Sequence, residues 1–202
     1  MEKRVLRFAV AAAVAVLVLT GSARADELNS KDIITKSNYE VGYLVGYGWA
    51  MDRLKQAPQI ENAVFAPSLA VPLTTREMGD SFYRGIIQYQ CEAVVGAITK
   101  PKVKAEIGLS VIGFKYNFTA LESRWSPYAT FGFGGIYEPI GHDVQGTDWN
   151  FLLQTGFGIQ CFMSEMTAVN VQYRYRHIYN ANIKAPNSSI NSSFILVGVS
   201  FF

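Results

Sequence analysis

The sequence has few of the residue types that most often bind metals or form cross-links. Its 202 residues include only two cysteines and two histidines, and charged residues make up 17% of the chain. Because no Cys, His, Asp and Glu residues cluster at ligand spacing, the sequence indicates no metal site and no cofactor. The basic residues are scattered and form no basic run, which argues against nucleic acid as a partner.

The chain also lacks an apolar run long enough for a transmembrane helix. The longest run, residues 8–19, is shorter than the roughly 20 residues that a bilayer span requires. It follows a cationic start and precedes the small-x-small site Ala23-Arg24-Ala25, so it predicts a secretory signal peptide over residues 1–25, cleaved near Ala25. The leader carries more than the whole formal charge of +2, and the exported chain is therefore close to neutral.

The sequence is rich instead in segments that alternate apolar residues with polar or small ones. It contains 11 Tyr, 13 Phe and 17 Gly, a composition that suits strands with aromatic girdles and tight turns. A period of two with one apolar face is typical of a strand in a transmembrane barrel. Eight such segments are predicted, at residues 39–51, 60–72, 80–94, 103–118, 125–137, 147–163, 167–179 and 190–202, with a bulge in the fourth near Ile112.

The predicted fold is all-β, an eight-stranded antiparallel transmembrane β-barrel of the bacterial outer membrane that occupies residues 39–202. Residues 26–38 are expected to form an N-terminal segment in the periplasm. A soluble lipocalin-like barrel or a β-sandwich would show similar alternation and stays open as an alternative. The export signal and the outward aromatic residues favour the membrane barrel.

The links between strands predict which end of the barrel faces outward. Outer-membrane barrels keep short turns in the periplasm and longer loops outside. The tight link at residues 164–165 therefore predicts the periplasmic end, and residues 182–189 predict an external loop. The last strand then ends in the periplasm, where the terminal Phe202 resembles the signal that outer-membrane assembly machinery recognises.

The cysteines and arginines are placed by the same alternation. Cys91 and Cys161 fall on the outward faces of predicted strands three and six, which are not neighbours, so we expect two free thiols. Arg84, Arg174 and Arg176 fall on inward faces. A small barrel filled by such side chains would not be a pore.

One histidine lies where a barrel strand should face lipid. In residues 167–179 the odd positions are mainly apolar or aromatic and the even ones mainly polar, and His177 falls among the odd positions, near the outer rim. A polar side chain on the lipid face is costly, so it suggests a functional role. The alternative is that an amphipathic imidazole is simply tolerated in the interfacial belt beside Tyr175 and Tyr179.

The motifs around His177 resemble those of a known family. They are HIYNAN at residues 177–182, PN at 186–187 and INS at 190–192, preceded by RWSPY at 124–128, GTDWNF at 146–151 and YRYRH at 173–177. Together they resemble the PagL-type lipid A 3-O-deacylases and the broader acyloxyacyl hydrolase-like family of outer-membrane barrels. That resemblance covers most of the chain after about residue 39.

The resemblance implies a site on the outer wall that hydrolyses the ester-linked acyl chain at position 3 of lipid A. It places His177 at the position of the base, Tyr179 at that of the serine nucleophile and Asn191 at that of the acid, with Asn180 and Asn187 as oxyanion or supporting residues. A tyrosine hydroxyl stands on a rigid ring and has a pKa near 10, so it is no simple substitute for a serine. An asparagine can accept a hydrogen bond from imidazole but lacks the charge that stabilises imidazolium.

Two functions follow from the resemblance. The first is an esterase that acts on lipid A in lipopolysaccharide of the outer leaflet. The second is a barrel of the same descent that has lost its nucleophile and binds lipopolysaccharide or supports the envelope. The substitutions at Tyr179 and Asn191 favour the second.

Overall fold

The structure is a computed structural model that describes residues 28–51, 59–74 and 76–202. The predicted signal peptide lies outside the described residues. One helix, α1, and eight strands follow each other along the chain: α1 Ser30–Lys36, β1 Glu40–Ala50, β2 Glu61–Pro72, β3 Gly85–Lys100, β4 Lys104–Phe118, β5 Trp125–Tyr137, β6 Trp149–Ser164, β7 Thr167–Tyr179 and β8 Ile190–Phe201. None of the helices in these ranges is long and apolar enough to cross a membrane.

The eight strands form a closed antiparallel barrel in chain order, as predicted. Each strand pairs with the next, and β1 pairs with β8 to complete the closure. The predicted bulge in β4 is confirmed, because the register with β5 shifts between Ser110 and Ile112. Helix α1, Phe202 and the links 73–84, 119–124 and 165–166 lie at one end of the barrel, which we call the terminal end. The links 101–103, 138–148 and 180–189 lie at the opposite end, which we call the loop end.

Strand β3 begins later than predicted, which corrects two expectations. Residues 81–83 form a short 3-10 helix, and β3 starts only at Gly85. Arg84 therefore lies outside the barrel wall and not in the lumen, where it forms ion pairs with Glu77 and Glu122. Tyr83 continues the apolar and polar alternation of the strand, so the predicted strand began too early, within the link.

The lumen is filled by buried ion pairs. Arg174 donates two hydrogen bonds to Glu92, of 2.6 and 2.8 Å. Arg176, only 1% exposed, donates to both carboxylate oxygens of Glu106, at 3.1 and 3.3 Å. Two cavities lined by lumen residues have volumes of ≈ 10 Å³ each, about what one water molecule needs. The described part of the lumen is thus packed, which is not the interior of a pore.

Small residues on the inner face make this packing possible. A Cβ atom on Gly48 of β1 would lie 2.3 Å from the ring of Phe194 on β8. That ring is buried, and the guanidinium of Arg176 lies 4.5 Å from its centroid. Glycine at this position therefore leaves room for the aromatic ring that the arginine covers.

Helix α1 packs across the terminal end of the barrel. Asn29 caps it by accepting a hydrogen bond from the backbone N–H of Lys31, and Ile33 and Ile34 are buried. Their cluster includes side chains from β3, β6 and β7, and Leu28 and Phe202 pack against it: Ile86, Phe162 and Ala168 are the buried members from the strands. The N-terminal segment is thus part of the folded core at this end.

The two cysteines are free, as predicted. Cys161 lies on the outward face, but it is only 2% exposed. Its cross-strand neighbours are Trp125 and Val169, and the register of β6 with β7 shifts just after it. A small thiol beside larger side chains is covered even on the outer face.

Candidate functional site

The predicted base lies on the outer face of β7, opposite the predicted acid position on β8. His177 and Asn191 are direct cross-strand partners. The imidazole Nδ1 and the amide Oδ1 of Asn191 are 2.7 Å apart. The hydroxyl of Tyr175 donates to the same oxygen. Because an amide oxygen only accepts, His177 donates from Nδ1, and its Nε2 is left as an acceptor.

Tyr179 is held near His177 by ring contacts. Residues two apart on a strand share a face, and the centroids of the two rings are 5.2 Å apart with an interplanar angle of 35°. On its other side Tyr179 packs against Phe151 of β6, with centroids 5.5 Å apart. Within the described residues, the Tyr179 hydroxyl makes no hydrogen bond to His177. The two side chains therefore meet through their rings and do not form the nucleophile-to-base hydrogen bond that a serine hydrolase needs.

A second polar pair lies further along the same face. The hydroxyls of Tyr173 on β7 and Ser193 on β8 are 2.8 Å apart. Ser193 is buried although it lies on the outward face, and its cross-strand partners are Tyr175 and Trp49. The pairs His177–Asn191 and Tyr173–Ser193 thus follow one another along the wall between β7 and β8, from the loop end toward the middle of the barrel. This pairing depends on cross-strand register, so the local sequence pattern does not predict it.

Asn180 and Asn187 are brought together in the link 180–189. The side-chain Oδ1 of Asn187 accepts from the backbone N–H of Asn180 at 3.1 Å. The side-chain amide of Asn180 donates to the carbonyl oxygens of Lys184 and Pro186, at 2.6 and 3.3 Å. Both hydrogens of that amide are therefore used within the link, which gives Asn180 a supporting place and leaves no side-chain donor for an oxyanion.

The same link is tied to its neighbour at the loop end. Gln145 donates to the Oδ1 of Asn187 at 3.3 Å and to that of Asn150 at 2.9 Å. The backbone N–H of Gly146 donates to the carbonyl of Pro186 at 2.7 Å. A Cβ on Gly146 would lie 2.4 Å from the Lys184 carbonyl oxygen, so only glycine permits this approach. The amide side chains hold residues 138–148 and 180–189 together just above His177.

The other histidine, His142, lies in a link between strands and not on a strand of the barrel wall. His142 lies in residues 138–148, is well exposed, and its Nε2 lies 3.2 Å from a carboxylate oxygen of Asp148. No cluster of three or more potential metal ligands occurs in the ranges that the structure describes. Three of the predicted site residues, His177, Tyr179 and Asn191, lie together on the outer face, and Asn180 and Asn187 lie in the adjoining link.

Comparison with known proteins gives a matching family and two similar folds. A family model described as "Lipid A 3-O-deacylase (PagL)" matches residues 39–200. The solved structure of the outer membrane enzyme PagL is similar, with 18% identity, a TM-score of 0.54, and coverage of 79% of this chain and 97% of that one. Neisserial surface protein A is similar too, at 15% identity and a TM-score of 0.56, with coverage of 82% and 97%. These two likenesses show a shared fold, and no curated protein matches the chain in sequence.

Proposed function

The chain belongs to the lipid A 3-O-deacylase (PagL) family and folds as an outer-membrane barrel, and from this premise we propose that it binds lipid A on the outer wall of β7 and β8 without hydrolysing it by the serine mechanism. The wall around His177 is the proposed contact with lipopolysaccharide. The proposal places the loop end outside the cell and the terminal end in the periplasm.

The observation that carries the proposal is the ring contact between Tyr179 and His177. A serine hydroxyl at position 179 could approach the acceptor Nε2, whereas the phenol carries its hydroxyl to the far side of a rigid ring. The neutral Asn191 further weakens catalysis, because it cannot offset the charge of an imidazolium. What this wall keeps is a set of hydrogen-bonding groups in an apolar surrounding, which suits binding of a lipid with polar groups near its ester bonds.

Ester hydrolysis is the second candidate. It is favoured by the hydrogen bond from His177 to Asn191, which orients the imidazole as a catalytic base requires. In this case another hydroxyl would attack the acyl carbonyl. Ser193 lies on the same face, but its hydrogen bond goes to Tyr173 and not to His177.

The test is mass spectrometry of lipid A from a Gram-negative host that expresses the wild-type chain, Tyr179→Ser, or Tyr179→Ser with His177→Ala. We expect unchanged lipid A with the wild type. We expect loss of one acyl mass with Tyr179→Ser, because His177 is already oriented by Asn191. The double variant should be inactive and controls for host enzymes.

Binding is measured separately, by native mass spectrometry of the purified barrel with added lipid A. The matched control is a variant outside the β7–β8 wall, Leu69→Ala, which changes an exposed outward side chain of β2, two strands away from β8. Retained lipid A in the wild type and in Leu69→Ala, and its loss in Asn191→Leu, would support the proposal. Deacylation by the wild type would overturn it in favour of the second candidate.

A further inference from the structure

The link 73–84 carries the most exposed large hydrophobic side chain in the described part of the molecule. Phe82 is 81% exposed, and Tyr83 and Met78 beside it are also exposed. The rings of Phe82 and Tyr83 pack edge to face, with centroids 5.3 Å apart. This link lies at the terminal end, far along the barrel wall from His177. The family resemblance and the proposed site make no use of it.

The link has a defined structure that presents these side chains. Met78 and Gly85 exchange two backbone hydrogen bonds, of 2.7 and 3.0 Å. Gly79 has a φ of 74°, a left-handed conformation that glycine adopts without strain. The chain then makes the short 3-10 helix Ser81–Tyr83. Residues 76–85 thus form a folded projection, closed at its base by the bridge between Met78 and Gly85.

The projection is fastened to the outward face of the barrel. Tyr116 of β4 points outward, and its hydroxyl donates to the carbonyl of Tyr83 at 2.7 Å, with the carbonyl oxygen of Met78 also within 3.3 Å. The ring of Tyr116 packs against that of Phe118, at 5.0 Å between centroids. Exposed apolar side chains of the link therefore continue the aromatic surface of the barrel wall.

The other side of the projection is ionic. Glu77 lies 3.3 Å from the ammonium of Lys31 on α1 and 3.5 Å from the guanidinium of Arg84. Glu122, from the link between β4 and β5, pairs with the same two cations. An aromatic side next to an ionic one is the arrangement of a segment that lies at a membrane interface.

We propose that Met78, Phe82 and Tyr83 insert into the headgroup region of the lipid leaflet at the terminal end. The continuity with Tyr116 and Phe118 favours lipid, since the wall of an outer-membrane barrel is covered by lipid along its whole circumference. Non-regular backbone is excluded from the hydrocarbon region, which sets the depth of the link at the headgroups. The charged side then faces water, where its ion pairs are solvated.

The test is spin-label accessibility in vesicles of phosphatidylethanolamine and phosphatidylglycerol. The full chain carries Cys91→Ala and Cys161→Ala, so that a label reacts only at an introduced cysteine. Labels are placed by Phe82→Cys, by Arg76→Cys in the same link, and by Leu69→Cys on the outward face of β2. Collision with oxygen reports lipid, and collision with a water-soluble nickel chelate reports water.

We expect the label at position 82 to favour oxygen several-fold more than the label at 76, with a ratio nearer to that at 69. A ratio equal to that at 76 would overturn the proposal, since the ring would then face water, where a periplasmic protein could dock. Met78→Cys serves as a second probe if Phe82→Cys fails to fold. Folding of each variant is checked by the shift of the barrel band on heating before electrophoresis.

Discussion

Polar side chains on the inner face of strand β7 differ in burial and pairing from those on its outer face. On the inner face, Arg174 and Arg176 are buried and matched by carboxylates on the opposite side of the lumen. On the outer face, His177 and Tyr173 make single hydrogen bonds to β8 and stay partly exposed.

The difference follows from what each group faces. Taking a charge out of water costs several kcal/mol, so the inner arginines persist only with full ionic partners. The outer groups lie at a surface where a lipid can make further contacts with them. His177, for example, can accept a hydrogen bond at Nε2. The ion-paired inner groups are buried in the lumen, whereas the outer groups lie where a ligand can reach them.

The largest effect should come from breaking the inner face. Arg176→Ala leaves Glu106 and Glu138 buried without a cation, and we expect the free energy of unfolding to fall by about 3–5 kcal/mol. Urea unfolding in vesicles, followed by tryptophan fluorescence, measures the loss. His177→Ala, on the other face of the same strand, is the matched control and should cost less than about 1 kcal/mol. Equal losses for the two variants would contradict the comparison.

A substitution of Asn191 tests the hydrogen bonds on the outer face. Asn191→Leu removes the acceptor shared by His177 and Tyr175, which costs about 1–3 kcal/mol for two neutral hydrogen bonds. Nitrogen NMR of the imidazole should show hydrogen on Nδ1 in the wild type and a mixture of tautomers in the variant. Hydrogen on Nε2 in the wild type would refute the assigned geometry.

A smaller loss is expected further down the wall. Tyr173→Phe removes only the hydroxyl that bonds to Ser193, so the free energy of unfolding should fall by about 0.5–1.5 kcal/mol. Tyr43→Phe, on the outward face of β1, is a control for the loss of a phenol hydroxyl as such. Lipid A binding should weaken in Tyr173→Phe and not in Tyr43→Phe if the wall between β7 and β8 is the binding surface.

The exposed ion pairs at the terminal end should respond least, and mainly to pH. Arg84, by its hydrogen bond and its charge, lowers the pKa of Glu122 below the usual value for a glutamate. A carboxyl group whose pKa is lower in the folded state than in the unfolded state stabilises the folded protein at any pH above the unfolded-state pKa. This stabilisation is lost as the pH falls through the folded-state pKa. Protection of α1 from protease should therefore decrease slightly in acid. Glu122→Gln should flatten that dependence, and an unchanged pH profile in this variant would speak against the assignment.

Most of the barrel could be predicted from the sequence because alternation is a local signal. Seven of the predicted strands agree with the structure to within about two residues, the usual uncertainty of such boundaries. The start of β3 could not be placed, since Tyr83 and Arg84 continue the pattern while Gly79 and Ser81 turn the chain. The packing of α1 against the barrel could not be predicted either, because the residues that it contacts come from strands far along the sequence.

The site was predictable in part for the same reason. The spacing of His177 and Tyr179 is local, and the resemblance assigned Asn191 to the position of the acid. The register pairs Asn191 with His177. The pairing of Tyr173 with Ser193 depends on cross-strand register alone. The use of both amide hydrogens of Asn180 depends on how residues 180–189 fold back, which no local pattern specifies. The catalytic roles of these residues stay predictions.

The packing of α1 against Phe202 sets an order of events during biogenesis. The surface that receives Ile33 and Ile34 combines side chains of β3, β6 and β7 with the last residue of the chain, so it is complete only when the final strand is in place. Contacts between such distant parts of a chain form late in folding. Helix α1, which precedes all eight strands in the sequence, should therefore dock after the barrel has closed, and its protection from protease should report that closure.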